Sequence, residues 1–278
     1  MVKSSLKISV FYRQDSWQEL LRSECISRFI SRHRAEGRPF QIDFGSVQGQ
    51  NISIGFNPRS EKEIQEFVGE LKSFVKSNPS VNTGNKFPVD GFFMDFPNNA
   101  VFSGGGSLDV NRAKLIDQVS YLEIKTKVSA LIVEKLAEDK VDEDNIFSFL
   151  LALQFRLAEA LFPARKEAKV KIRTVVNILS QRLHVEAQVK IDEQLMDIFL
   201  DNIDEFRDMG GVMWHKKPSE DMWLDSWEKT CKEVVSEQTD RVALFLKIST
   251  LIFEQVNVVD NYKLLLSCKL LYNVLVLK

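Results

Sequence analysis

The sequence predicts an α+β protein: a mainly antiparallel N-terminal sheet with helices on one face, followed by a long C-terminal helical region. Two observations predict it. Short apolar–polar alternations, the mark of half-buried strands, occur before residue 105, where most of the glycines also lie. After Gly104-Gly105-Gly106, apolar residues recur at helical spacing almost to the C-terminus. Leu6, Ile8, Val10 and Tyr12 alternate with mostly polar neighbours and predict the first strand. Leu20, Leu21, Ile26, Phe29 and Ile30 stand at helical spacing within 17–34, and Gly37 and Pro39 end that helix. Phe40, Ile42 and Phe44 alternate, as do Ile52, Ile54 and Phe56, and the polar run 45–50 between them predicts a hairpin. Ser60 with Glu63 three residues on is a capping box, opening a helix to about Val75. A polar loop over 77–86 leads to a further strand over 89–96. This strand–helix–strand–strand–helix–strand order places helices on one face of a sheet.

Helices are then expected over about 108–138, 148–161, 163–184, 191–206, 222–237, 241–256 and 262–276. The expected organisation is a sheet part, 1–105, and a helical part, 106–278, packed as one compact unit. No internal repeat or low-complexity tract is present.

Of 278 residues, 44% are hydrophobic and 27% charged, which excludes a disordered or collagen-like chain. The 37 basic and 39 acidic residues leave a net charge of −2, so there is no overall excess to hold a polyanion and nucleic acid is not an expected partner. The cysteines, Cys25, Cys231 and Cys268, are odd in number, far apart and without metal-site spacing. They point to a reducing cytoplasm rather than a disulfide framework. The first nine residues lack a signal-peptide run. No apolar run reaches the ~18 residues of a membrane helix; the nearest, 264–277, is broken by Ser267, Lys269 and Asn273 and reads as a buried helix. A cytoplasmic protein without a membrane partner is expected.

Nucleotide-binding, zinc-protease and serine-hydrolase motifs are all missing, so no cofactor or metal is implied. Gly104 to Gly106 reads as a flexible junction more readily than as an anion site. His33, between Arg32 and Arg34, reads as solvated at a charged helix end. His184 reads as a helix end where a cation suits the dipole. His215 follows Trp214 in the loop after Gly210-Gly211. Each histidine is more often structural than catalytic at such a place, yet His184 and His215 are the ready general acid–base groups near neutral pH. Trp223 and Trp227, four apart, share a helix face and with Trp214 read first as core; an aromatic wall for a peptide or heterocycle is the alternative. Asp142, Glu143 and Asp144 read as a helix-start charge run, and 165–171 as a solvated face.

At the paired strands the sequence resembles the C-terminal domain of lantibiotic dehydratases, the thiopeptide-type biosynthesis domain. That family opens with an aromatic strand and a helix, as in Ile8-Ser9-Val10-Phe11-Tyr12 and 17–30. A strand ending in aromatic–Ile–Arg–Tyr and a Gly-Pro-His-Ile-Arg-Leu-Arg-Phe strand follow. The equivalents are Gln41-Ile42-Asp43-Phe44 and Gly49-Gln50-Asn51-Ile52-Ser53-Ile54-Gly55-Phe56. A glycine pair before a long helix matches Phe102-Ser103-Gly104-Gly105-Gly106, and Ser120 matches a serine in that helix. The domain order covers nearly the whole chain.

In the dehydratases this domain eliminates glutamate from glutamylated Ser or Thr, with arginines holding the departing carboxylate and a late histidine moving protons. Here Asp43, Ser53 and Gly55 stand where arginines are expected, and no histidine occurs in 249–256, where the late motif falls. An aspartate in place of an arginine repels a carboxylate. The resemblance therefore implies the family's stand-alone branch, the thiopeptide pyridine synthases. These join two dehydroalanines of one modified peptide in a formal [4+2] cycloaddition, then expel water and the leader peptide, without a cofactor. The partner implied is a dehydroalanine-bearing precursor with its leader, alongside other enzymes of its pathway. On this reading Tyr12, Ser46, Ser53, Ser120, His184 and His215 are the candidate catalytic residues, and Asp43, Gln50 and Trp214 the candidate substrate-binding residues. Two alternatives stay open. One is a glutamate lyase beside a separate dehydratase subunit, with arginines such as Arg13 and Arg59 converging. The other is a non-catalytic leader-binding module.

Overall fold

The computed structural model describes residues 6–46, 49–81, 96–105, 118–138, 141–204, 206–207, 222–234, 240–258 and 260–277. They gather into two compact units, Met1–Phe149 with Gln255–Asn257, and Leu150–Glu254 with Val258–Lys278. The sheet lies in the first. Strands β1 (Leu6–Phe11), β2 (Phe40–Gly45), β3 (Asn51–Phe56) and β4 (Ala100–Gly105) pair antiparallel in the order β2-β3-β1-β4.

Period-2 alternation puts Ile8, Val10, Phe40, Ile42, Phe44, Ile52, Ile54 and Phe56 on one face, and all are buried. Helices α1 (Trp17–Arg22), α2 (Glu24–Ala35) and α3 (Glu61–Ser77) cover it. Trp17 packs on Phe44 at 4.5 Å between ring centroids, and Phe29 stacks on Phe67 at 4.5 Å. The expected α+β architecture is the one observed. The helix expected over 17–34 is two helices, because Ser23 is extended (ψ 148°) and its hydroxyl caps the Leu20 carbonyl. At α3, Ser60 Oγ accepts the Glu63 N–H at 3.2 Å, as the capping box predicts. The Glu63 carboxylate turns instead to the Arg59 N–H at 2.7 Å and to Arg38.

His33 corrects the sequence reading. It is 1% exposed, with Nδ1 2.9 Å from the Phe29 carbonyl and its ring against Phe29, Phe40 and Phe56. Helical period, not its charged neighbours, decides its face: it stands one turn from Phe29. Burial pushes its pKa below the ordinary value, so the folded form holds it neutral. Below about pH 6.5 the unfolded chain takes up a proton that the folded chain refuses. Stability from this group should be complete above that pH and fall as pH drops toward the depressed folded value. Urea titrations at several pH values check this; a His33→Phe variant with the same loss between pH 7 and 5 would refute the assignment.

The fourth strand, β4, forms where the sequence reads as a glycine junction. Gly104 pairs with Lys7 through backbone groups alone, which needs no side chain. Of the strand expected over 89–96, residues 89–95 lie outside the described residues, and Phe96 is not in a strand. The long helix expected from 108 is described from Gln118, as α4 (Gln118–Leu131) running into a π turn (Ile132–Leu136). Helix α5 (Glu143–Leu161) begins earlier than expected, because Asp142 Oδ1 caps the Asn145 N–H at 3.0 Å.

In the second unit, the rest of α5 is joined by α6 (Arg165–Ser180), α7 (Val185–Asp201), α8 (Met222–Glu233), α9 (Arg241–Gln255) and α10 (Asn261–Val276). Helix α10 buries nine residues and packs on α6 and α7. Trp227 is fully buried, with Nε1 donating to the Leu153 carbonyl at 2.8 Å, so it is core. Helix α6 stops at Ser180, not near 184, because the Gln188 amide donates to the Ser180 and Leu183 carbonyls at 2.9 and 3.0 Å. His184 is thus the N-cap of α7, at the positive end of a dipole rather than the negative end expected. Arg165, read as solvated, is half-buried and caps the Val274 and Leu277 carbonyls at the end of α10. Among the described residues no single helix is long and apolar enough to cross a membrane.

Candidate functional site

The sheet face turned away from α1–α3 is polar. Strand register lines up Asp43 of β2, Ser53 of β3, Ser9 of β1 and Phe102 of β4 in one row. Ser53 is 3% exposed. Its Oγ lies 2.9 Å from Ser9 Oγ and donates to Asn51 Oδ1 at 3.0 Å. Asn51 reaches back to the Gly49 carbonyl at 2.8 Å. That path needs Gly45, since a Cβ there would stand 2.9 Å from Asn51 Oδ1.

Lys125 enters from α4. Its Nζ lies 3.5 Å from Asp43 Oδ1 and 5.7 Å from the Tyr121 ring centroid. Gln41 donates to the other Asp43 oxygen, and its own buried Oε1 has no hydrogen-bond partner. An ammonium with donors to spare, a carboxylate, two hydroxyls and a vacant amide acceptor therefore share one patch. Phe11, Phe96 and Phe102 border it, with ring centroids 4.5–5.7 Å apart. Phe96 and Phe102 are exposed enough to receive an apolar or planar group.

Lys125 is held by the way α4 closes the sheet. Strand β2 is an edge, and its outward groups meet side chains instead of another strand. Thr126 Oγ1 accepts the Phe40 N–H at 3.2 Å and donates to the Phe40 carbonyl at 3.0 Å. Ser129 Oγ accepts the Ile42 N–H at 2.8 Å and donates to the Lys125 carbonyl at 2.6 Å. The Gln255 amide donates to Ser129 Oγ, the Ile42 carbonyl and the Lys125 carbonyl at 2.7, 3.0 and 3.2 Å.

Of the residues singled out from sequence, the structure brings Asp43 and Ser53 side by side. Gln50 and Ser46 stand exposed at the hairpin rim. Gln50 Oε1 accepts the Gln14 N–H at 3.0 Å, and Ser46 Oγ meets the Asn257 amide at 3.0 Å. Tyr12 is on the opposite, helix-covered face; its hydroxyl donates to the Asn78 carbonyl, and burial pushes its pKa up to about 12. Ser120 is half-buried in the first turn of α4, and His184 is exposed in the second unit. Trp214 and His215 lie outside the described residues. Ser9, Asn51 and Lys125 complete the patch without a sequence signal of their own; only the alternation of β1 and β3 placed Ser9 and Asn51 on the outward face.

Asp43, Ser53 and Gly55, the three positions where the resemblance expects arginine, all fall on this face. Arg13 follows β1 and Arg59 follows β3, and the antiparallel pairing sets them at opposite ends of the sheet. Six paired residues separate the ends, about 20 Å. Arg13 pairs with Asp15 and Arg59 with Glu36.

No protein-family model and no curated protein matches the sequence. Solved structures do. The pyridine synthase TbtD from thiomuracin biosynthesis superposes with a TM-score of 0.70 over 98% of this chain and 97% of its own, at 13% identity. The fold is that of TbtD. TsrL matches at a TM-score of 0.60 over 97% and 93% of the two chains, at 10% identity. The tRNA-dependent lantibiotic dehydratase MibB from Microbispora sp. 107891 matches at 0.57 and 10% identity, over 97% of this chain and 28% of MibB. The TbtD fold thus accounts for nearly the whole chain, both its sheet and its helices, as the resemblance read from β1 to β3 implied.

Proposed function

We propose that this protein is a pyridine synthase: it joins two dehydroalanines of a ribosomally made, modified peptide in a formal [4+2] cycloaddition and expels water and the leader. The observation that supports it is the polar sheet face of a TbtD-like chain. There the positions for carboxylate-holding arginines carry Asp43, Ser53 and Gly55, with Lys125 beside them.

The reaction begins when a dehydroalanine amide shifts to its imidic tautomer, a 2-azadiene. One proton leaves the amide nitrogen and one arrives at the amide oxygen, so a base and an acid at hydrogen-bond distance suffice. Asp43 accepts from the nitrogen, and the Lys125 ammonium donates to the oxygen. The Ser53 and Ser9 hydroxyls and the vacant Gln41 Oε1 fix the neighbouring peptide groups. Two olefins of one flexible chain must then be stacked, where positioning supplies several kcal/mol. Phe11, Phe96 and Phe102 offer the apolar wall for that. The pair of new bonds closes the six-membered ring, and loss of water and then of the leader as its amide yields the pyridine. No electrons leave the peptide.

Mass spectrometry of the protein with a leader-bearing peptide containing two dehydroalanines tests this. The expected products are a free leader amide and a macrocycle lighter by the leader and one water. Unchanged mass there, with glutamate lost from a glutamylated peptide, would replace the proposal with a lyase. Tight binding of both peptides at unchanged mass would replace it with a leader-binding module.

A further inference from the structure

The hydroxyls of the polar sheet face have a fixed direction, and Asn51 sets it. Its amide reaches the Gly49 carbonyl at 2.8 Å; a carbonyl only accepts, so the NH2 group lies on that side. Asn51 Oδ1 therefore faces Ser53 Oγ, 3.0 Å away, and takes the single hydroxyl proton of Ser53. Ser9 Oγ stands 2.9 Å from Ser53 Oγ. With the Ser53 proton already turned to Asn51, Ser9 must donate to Ser53, since two facing lone pairs would repel. That uses the one proton Ser9 has. Its hydroxyl makes no other hydrogen bond among the described residues, and the residue is half-buried rather than closed off. What Ser9 offers the patch is therefore a lone pair and nothing else.

A hydroxyl that can only accept selects what it binds. A peptide N–H satisfies it, whereas an ester oxygen or a proline nitrogen leaves it unpaired. Ser9 stands in the register row Asp43, Ser53, Ser9, Phe102. Two strand spacings, about 10 Å, separate it from Asp43. The N–H it takes thus belongs to a different peptide unit from the amide that Asp43 and Lys125 would tautomerise. Phe102, opposite Ser9 on β4 and 42% exposed, walls one side of that unit and limits the competition of water for the bond. Resting on the cyclisation reading above, we infer that Ser9 is a specificity-determining residue. Its Oγ accepts one backbone N–H of the precursor peptide, outside the reacting amide, and so requires an ordinary secondary amide at that place.

The test replaces one backbone N–H at a time by an ester oxygen in the leader-bearing peptide with two dehydroalanines. In wild type, one ester outside the reacting amide should lower kcat/KM about ten-fold, since a donor is lost and an oxygen lone pair meets Ser9. In Ser9→Ala the all-amide peptide should lose about the same factor, and that ester should then cost nothing further. The variant strands no buried donor, because Ser53 keeps its bond to Asn51, and a circular dichroism melt verifies the fold. Ser9→Thr keeps the hydroxyl and should restore both rate and discrimination. Ser53→Ala frees the Ser9 proton to turn outward, so the ester should gain on the amide relative to wild type. A merely structural role for Ser9 would change the rate without touching ester discrimination. Undiminished kcat/KM in Ser9→Ala, or equal ester effects in wild type and Ser9→Ala, overturns the inference. Peptide that binds but is not cyclised overturns the cyclisation reading alone, because the same comparison then runs on dissociation constants. A wild type that binds none of these peptides overturns both.

Discussion

Replacing Lys125 by methionine should lower the rate of cyclisation about 100- to 1,000-fold, the scale on which a single preorganised donor acts on a developing charge. The side chain is almost fully buried, so methionine keeps the packing of the stem and removes only the ammonium. The loss should fall on kcat more than on KM, because the amide oxygen becomes a strong acceptor only as its tautomer forms. Asp43 is left without its cation, which costs some stability. Lys125→Met/Asp43→Asn removes both charges together and should recover the melting temperature without recovering activity. That pair of variants separates a damaged fold from a missing donor. Activity within about three-fold of wild type in Lys125→Met, with a cyclising wild type, would move the chemistry away from the polar sheet face. The same placement is probed from the β-strands: Asp43→Arg and Ser53→Arg both retaining full activity would be incompatible with it.

What the sequence made legible follows from how each signal is written. Strands β1 to β3 and the α3 cap are encoded locally, in alternation at Ile8-Val10, Ile42-Phe44 and Ile52-Ile54 and in Ser60-Glu63. Local alternation therefore gives nearly correct bounds for them. Strand β4 is held by backbone pairing to β1, and Gly104 and Gly105 carry no side-chain pattern to announce it. The charged neighbours of His33 mislead because they adjoin it in sequence, whereas burial follows neighbours one helical turn away. The site divides in the same way. Asp43 and Ser53 stand out in the sequence because a family pattern passes through them, and β2–β3 register puts them side by side. Lys125 sits 82 residues from Asp43, on an unremarkable helix, and only the docking of α4 against β2 makes them partners. Tyr12 belongs to the same alternation as Ile8 and Val10, and that parity buries it on the helix-covered face, away from the polar patch where a role in hydrogen bonding to substrate would need it.

Ser129→Ala should destabilise the protein by about 2–3 kcal/mol, more than an average hydrogen bond is worth, because it strands other groups. The hydroxyl accepts the Ile42 N–H and donates to the Lys125 carbonyl, and it also receives the Gln255 amide. Alanine leaves the Ile42 N–H buried at the edge of β2 with no acceptor, and water cannot replace a partner at a residue with no exposed surface. Gln255→Leu should act on the same network by freeing the Ile42 carbonyl, and the two losses should be less than additive, since each removes part of what the other breaks. The edge so opened is a strand with unpaired backbone groups, and the variants should aggregate at concentrations where wild type does not. Urea denaturation measures the loss, and amide exchange at Ile42 locates it. Unaltered protection of that amide, with a change below about 0.5 kcal/mol, would mean that α4 does not close this edge. The functional consequence differs in kind from that of Lys125. Ser129 and Gln255 act on the lysine through its backbone carbonyl, so their loss should lower activity only modestly in the fraction still folded. Lys125→Met instead removes the donor proposed for the tautomer step from a fold that remains. Stability and catalysis should therefore fall together across the β2 edge cap and separate at Lys125, a contrast that a purely structural role for Lys125 would not produce.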